Sequence, residues 1–152
     1  MTIELRQVPS RPTLLRHACC PLSGIADTIG PLFGEVAQWA GAHGLAIAGP
    51  AIARYVSVKD GQCEFDAGFV LESPPPAVDQ DVKVVDVGQC SAAYVVHHGA
   101  YEQLHETYAA IEAWMKENGY ETAAPMWEEY FSPPGTPPEQ MRTDVYWPVK
   151  PR

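Results

Sequence analysis

Apolar and polar positions along this chain change period several times, and each change marks an element. Thr2–Val8 alternates, as a half-buried strand does. Leu14–Cys20 is an apolar-rich run of strand length. Ile25, Ile29, Leu32, Phe33, Val36, Trp39 and Ala40 then recur at helical spacing. Gly30-Pro31 interrupts that stripe, so the helix either kinks there or starts afresh with Pro31 in its first turn. Gly44 is placed to end it. Strand patterns return over Ile47–Val58 and Glu64–Leu71, joined by the turn pair Asp60-Gly61.

The second half repeats the plan. Val82–Val87 and Ser91–His98 read as strands. Tyr101, Leu104, Tyr108, Ile111, Trp114 and Met115 form the apolar stripe of a helix that Asn118-Gly119 closes. Thr122–Phe131 and Arg142–Pro148 read as two further strands, joined by the proline-rich loop Ser132–Gln140. At an offset of 75 positions Gly24 falls on Gly99, Phe33 on Tyr108, Trp39 on Trp114, Gly44 on Gly119, Pro50 on Pro125 and Tyr55 on Tyr130. After a three-residue insertion, Phe65-Asp66-Ala67-Gly68-Phe69 falls on Thr143-Asp144-Val145-Tyr146-Trp147. Matches that keep one order point to an internal duplication. The expected fold is α+β: a tandem β-α-β-β repeat with antiparallel sheet and two helices, and a central ligand cleft between the halves. Repeat 1 covers about 2–72, a linker 73–81, and repeat 2 about 82–150, all within one domain.

Composition narrows the class. The 152 residues suffice for a core that buries roughly 70% of the unfolded surface. Hydrophobic residues make up 46% and charged residues 19%, which is a globular balance. A net charge of −9 argues against direct nucleic-acid binding, because a phosphate backbone is repelled on average. No run approaches the ~20 apolar residues of a membrane span, and the first residues alternate instead of forming a signal peptide. The expected compartment is the cytoplasm. Cys19, Cys20, Cys63 and Cys90 show no CxxC spacing and read as reduced structural residues. Adjacent Cys19 and Cys20 point to opposite faces of their strand.

Candidate chemistry gathers in Pro125-Met126-Trp127-Glu128-Glu129-Tyr130. In a strand Glu128 and Tyr130 share one face, Trp127 and Glu129 the other. The first repeat carries Ala53 and Tyr55 where the second carries Glu128 and Tyr130, so the tyrosine recurs and the carboxylate does not. A carboxylate among aromatic rings suits a cationic or hydrogen-bonding ligand. If desolvated without a partner it would gain proton affinity and serve in proton transfer. Two placements stay open: Glu128 lines a pocket, or Glu128 is solvated and Glu129 faces inward. Ligand-binding candidates are Glu128, Tyr130, Tyr55, Trp147, Tyr101, Tyr108 and Trp127, whereas Trp39 and Trp114 read as packing residues. His97, His98 and His105 lack metal-ligand spacing, so no metal or other cofactor is expected. One histidine assisting a ligand stays open.

These residues resemble the GyrI-like small-molecule-binding domain, the effector-binding domain of AraC-type and MerR-type regulators that also occurs as stand-alone proteins. The resemblance rests on Gly49-Pro50-Ala51-Ile52-Ala53-Arg54-Tyr55, Phe65-Asp66-Ala67-Gly68-Phe69, His98-Gly99-Ala100-Tyr101-Glu102, Trp127-Glu128-Glu129-Tyr130 and Val145-Tyr146-Trp147-Pro148. It implies an aromatic pocket in which an acid at the Glu128 position meets cationic ligands. Ala100 stands where many relatives have proline, and Ser132 precedes Pro133 where aspartate is common. No helix-turn-helix segment is expected in the chain, so a regulator role needs a separate DNA-binding partner.

The first reading is a stand-alone protein that holds a small hydrophobic or cationic molecule without turning it over. The second, implied by the resemblance, is a hydrolase of cyclopropane-bearing genotoxic natural products, with Glu128 and Tyr130 as catalytic residues. The third is a gyrase-binding inhibitory protein. Ligand identity and oligomeric state stay open.

Overall fold

The computed structural model describes residues 2–75, 82–132 and 135–152. Positions 76–81 of the expected linker and 133–134 of the proline-rich loop lie outside them. The chain divides into two compact units. One comprises Met1–Pro9 with Gln89–Arg152, the other Ser10–Gly88.

The Ser10–Gly88 unit contains β2 (Arg11–Pro21), α1 (Ile25–Ala42), β3 (Ile47–Lys59), β4 (Gln62–Leu71) and β5 (Lys83–Val87). The first strand of the chain, β1 (Glu4–Val8), belongs to the other unit. There it is joined by β6 (Cys90–His98), α2 (Leu104–Asn118), β7 (Tyr120–Thr122), β8 (Trp127–Tyr130) and β9 (Arg142–Pro151). The Ser10–Gly88 sheet runs β5-β2-β4-β3, and the other runs β1-β6-β9-β8, with β7 also on β9. All of these pairings are antiparallel. The two units thus have one topology: an outer strand, then the strand before the helix, then the last strand, then the strand after the helix. The leading strands are exchanged. β1 pairs with β6, and β5 pairs with β2.

Each helix covers one face of its own sheet. Val36 and Ala40 of α1 pack on Leu14 and Leu71, and Leu32 packs on Cys20, Cys63 and Phe65. Leu104, Ile111 and Met115 of α2 pack on Ala93, Val95, Val145 and Val149. Gly44 and Gly119 stand at the helix ends with left-handed φ of 68° and 77°, a conformation in which a side chain would be strained. The Asp60-Gly61 turn joins β3 to β4 with both residues left-handed, as a two-residue hairpin demands.

One sequence expectation narrows and two change. First, of the two outcomes open at Gly30-Pro31, a kink or a fresh start, the fresh start is ruled out: α1 runs through Pro31. An interior proline costs about 3 kcal/mol. Burial of Leu32 and Val36 returns about 1.5–3 kcal/mol each, so the amphipathic stripe prevails. Second, the run Thr122–Phe131 is two short strands, β7 and β8. Pro125 has no N–H to give to a ladder, and residues 123–125 are exposed. Third, Gly24 does not correspond to Gly99. The 3-10 turn Leu22–Gly24 that leads into α1 matches Tyr101–Gln103 before α2, and α1 has 18 residues against 15 in α2. Counting back from the closing glycines, Phe33 matches Tyr108 and Trp39 matches Trp114.

Among the described residues no helix is long and apolar enough to cross a membrane. The four cysteines are free: Cys19 is exposed, while Cys20 behind it is buried.

Candidate functional site

Cross-strand register decides which side chains meet α2. Glu128 lies opposite Val145, and Tyr130 opposite Thr143. Val145 belongs to the core beneath α2, so Glu128 and Tyr130 rise from the helix-covered face of the sheet. Trp147 is two residues beyond Val145 on β9 and points the same way. Tyr108 descends from α2, and Tyr101 comes from the 3-10 turn before that helix.

These five residues form one cluster. The Tyr130 hydroxyl donates to Glu128 Oε1 at 2.7 Å, and the Tyr108 hydroxyl donates to Oε2. Tyr101 meets the Tyr130 ring edge-on at 5.8 Å between centroids, and Tyr108 meets Trp147 in the same way at 6.0 Å. The Trp147 indole N–H donates to the Thr122 hydroxyl at 3.0 Å, which holds that ring in place. Glu128 is 1% exposed. Tyr108, Tyr130 and Trp147 are half-buried, and Tyr101 is exposed. Desolvation of the part of Tyr101 that packs against Tyr130, and after it the negative charge of Glu128, pushes its phenol above its ordinary pKa.

Trp127 and Glu129 occupy the opposite face. The Trp127 N–H donates to Glu129 Oε2 at 3.1 Å, and its ring stacks on Tyr146 at 4.9 Å and 8°. Glu129 is as enclosed as Glu128, at 3% exposed. From the sequence, either Glu128 lines a pocket or it is solvated and Glu129 faces inward. The structure buries both carboxylates. Tyr55 belongs to the other unit, where its ring lies 6.0 Å from Phe65. Trp39 stacks on His43 and Trp114 on Tyr120, both beside helix cores.

His97 links the end of β6 to α2. Its Nε2 N–H donates to the Ala100 carbonyl at 3.0 Å, and its Nδ1 is hydrogen-bonded to the Thr107 hydroxyl at 2.7 Å. Ala100 directly precedes the turn that carries Tyr101, so His97 and Thr107 fix the entry to the cluster. Periodicity placed Tyr108 on the helix stripe; only the packing of α2 over β8 gives its hydroxyl a carboxylate to meet. Among the described residues no three His, Cys, Asp or Glu side chains gather as a metal site.

The Ser10–Gly88 unit shows what this cluster adds. Phe33 meets Phe69 there at 5.8 Å, where Tyr108 meets Trp147 here. Ala53, fully buried, stands where Glu128 does. The hydroxyl and the carboxylate are therefore both present in one unit and both absent from the other.

Comparison with known proteins agrees with this architecture. The C-terminal domain of EcmrR matches with a TM-score of 0.81 at 18% identity, over 99% of this chain and 98% of that domain. Against EcmrR in its DNA complex, the chain spans 58% of the protein's length. A hydrolase from Listeria innocua matches with a TM-score of 0.67 at 16% identity, covering 97% of this chain and 91% of that one. SAV2435, bound to tetraphenylphosphonium, matches with a TM-score of 0.64 at 14% identity, covering 99% and 94%. At these identities the likeness is one of fold. No curated protein matches the chain. The model of the GyrI-like small molecule binding domain matches residues 1–150, and the chain belongs to that family.

Proposed function

We propose that the protein binds a small hydrophobic or cationic molecule at Glu128, with Tyr101, Tyr108, Tyr130 and Trp147 as the surrounding contacts. One observation carries this reading: a carboxylate 1% exposed, held by two phenols among aromatic rings. Both phenols are neutral donors, so they satisfy oxygen lone pairs without cancelling a carboxylate's charge. A cation reaching that oxygen pair gains Coulomb energy in a medium less polar than water. The rings add their π-faces. The shared fold of SAV2435, whose structure holds tetraphenylphosphonium, supports the same ligand class.

Calorimetric titration tests it with tetraphenylphosphonium and neutral triphenylphosphine oxide. Glu128→Gln keeps the shape and removes the charge. It is expected to weaken the phosphonium by at least about tenfold and the oxide by less than about threefold. Equal losses for the two would overturn the role given to the carboxylate.

A second reading draws on the hydrogen bond between Glu128 and Tyr130. A carboxylate beside a hydroxyl can take a proton from water while the phenol orients a substrate. The hydroxide so formed attacks a ring carbon, and the strained C–C bond breaks. Its electron pair passes into an electron-withdrawing group conjugated with the ring, and the proton taken by Glu128 is returned there, so that water is added overall. The fold is shared with the Listeria innocua hydrolase. Incubation with a cyclopropane-bearing alkylator is expected to yield a product heavier by one water. Recovery of unchanged substrate would exclude this reading.

A further inference from the structure

The Glu128 cluster has a neighbour that neither strand alternation nor the aromatic pattern brought forward. Thr143 lies on β9 between His97 of β6 and Tyr130 of β8, directly opposite each across the sheet. It shares the helix-covered face with them. It is fully buried, and its hydroxyl has no hydrogen-bond partner among the described protein atoms. Proteins seldom leave a buried hydroxyl in that state.

The duplication shows what this position does when no ligand is needed. Phe65 is the counterpart of Thr143, flanked by Ala18 and Tyr55 as Thr143 is flanked by His97 and Tyr130. Phe65 is fully buried and fills the core with Leu32, Cys20 and Ala67. Its neighbours Ala18, Leu32, Phe33 and Ala53 are all apolar. Their counterparts His97, Thr107, Tyr108 and Glu128 are all polar. One unit thus plugs this volume with a phenyl ring. The other puts a small hydroxyl there, beside a carboxylate. Residues chosen for core packing alone would not change in this coordinated way.

We propose that Thr143 is a second polar contact of the Glu128 site, hydrogen-bonding a hydroxyl, ether or carbonyl oxygen on the ligand. This rests on reading Glu128 as a ligand site. It makes the site two-point: charge and aromatic faces at Glu128, and one hydrogen bond at Thr143. His97 uses both ring nitrogens on Ala100 and Thr107, so the hydroxyl of Thr143 is the group this row of the sheet offers to a ligand.

The test compares tetraphenylphosphonium with its three mono-hydroxyphenyl isomers on the whole protein by calorimetric titration. At least one isomer is expected to bind wild type about five- to tenfold tighter than the parent cation, the worth of one neutral hydrogen bond. Thr143→Val keeps the shape and removes the hydroxyl. It should erase that margin while leaving the parent cation within about twofold, and Thr143→Ser should keep the margin. Thermal melting of ligand-free Thr143→Val should show no loss of stability. A margin that survives in Thr143→Val, or no favoured isomer in wild type, overturns the proposal. A fall in melting temperature for Thr143→Val overturns it too, since the hydroxyl then has a partner in the free protein. If the parent cation itself fails to bind, the Glu128 reading falls as well; if it binds without a hydroxyl margin, only the role of Thr143 falls.

Discussion

The Tyr108 hydroxyl, on the helix α2, donates to Oε2 of Glu128, on the strand β8. The matching residues of the other unit are Phe33 and Ala53, which can neither donate nor accept. Two substitutions that would each be costly alone therefore occur together. A buried carboxylate without its donor, or a buried phenol without its acceptor, loses a hydrogen bond that water no longer replaces.

This pairing is open to a double-mutant cycle. Tyr108→Phe is expected to cost about 1.5–3 kcal/mol in urea denaturation at neutral pH, the range for a hydrogen bond to a charged group. In a Glu128→Gln background the same change should cost about 1 kcal/mol or less, leaving a coupling of about 1 kcal/mol. Additive losses would show that the two residues act independently.

Tyr101 offers a spectroscopic reading of the same charge. Its phenol is raised first by desolvation and then by Glu128. A pH titration of phenolate absorbance, with Tyr101→Phe as the subtraction, should place it above the usual value of about 10. Glu128→Gln should lower it part of the way only, because the desolvation remains. An unmoved titration would mean that Glu128 does not act on Tyr101.

Asp66 is a structural charge of the other unit, and its effect on stability has a definite sign. It accepts from Arg54 Nη2 at 2.8 Å, lies 2.9 Å from His17 Nδ1 and 3.5 Å from Lys83 Nζ, and is fully buried. Burial opposes its charge, but Arg54, His17 and Lys83 outweigh burial and hold the carboxyl below its ordinary value. A lowered folded pKa gives stability that is present above the unfolded value, about 3.9, and lost as pH falls through the folded one. Asp66→Asn is expected to cost roughly 3–5 kcal/mol at pH 7, as breaking a buried ion cluster does. It should also flatten the acid limb of the stability curve below about pH 4. An identical acid limb in both proteins would argue against this linkage.

Gly68 tests how closely β2 and β4 approach. A Cβ there would stand 1.7 Å from the Leu14 carbonyl oxygen, and backbone cannot swing aside. Gly68→Ala is expected to cost about 3 kcal/mol or more, or to prevent folding. Gly34, exposed on α1 with nothing within 4 Å of its Cβ position, serves as control. Gly34→Ala should stabilise by about 0.5–1 kcal/mol. Similar melting temperatures for the two variants would refute the close approach.

Much of this was legible in the sequence because it is local. Alternation along Trp127–Tyr130 set Glu128 and Tyr130 on one face and Trp127 and Glu129 on the other, since successive side chains of a strand must point apart. Helical spacing put Phe33 and Tyr108 on inward stripes, and the duplication showed where Ala53 gives way to Glu128. The tertiary structure decided what is not local. Which strand β1 joins depends on hydrogen-bond partners far along the chain, and it pairs with β6. Whether one or both acids of β8 are buried depends on what covers each face of the sheet, which no period within the strand encodes. The meeting of Tyr108 with Glu128, and the setting of Thr143 between His97 and Tyr130, arise only when a helix and three strands pack together. Periodicity tells a side chain which way to point; packing alone supplies what it meets there.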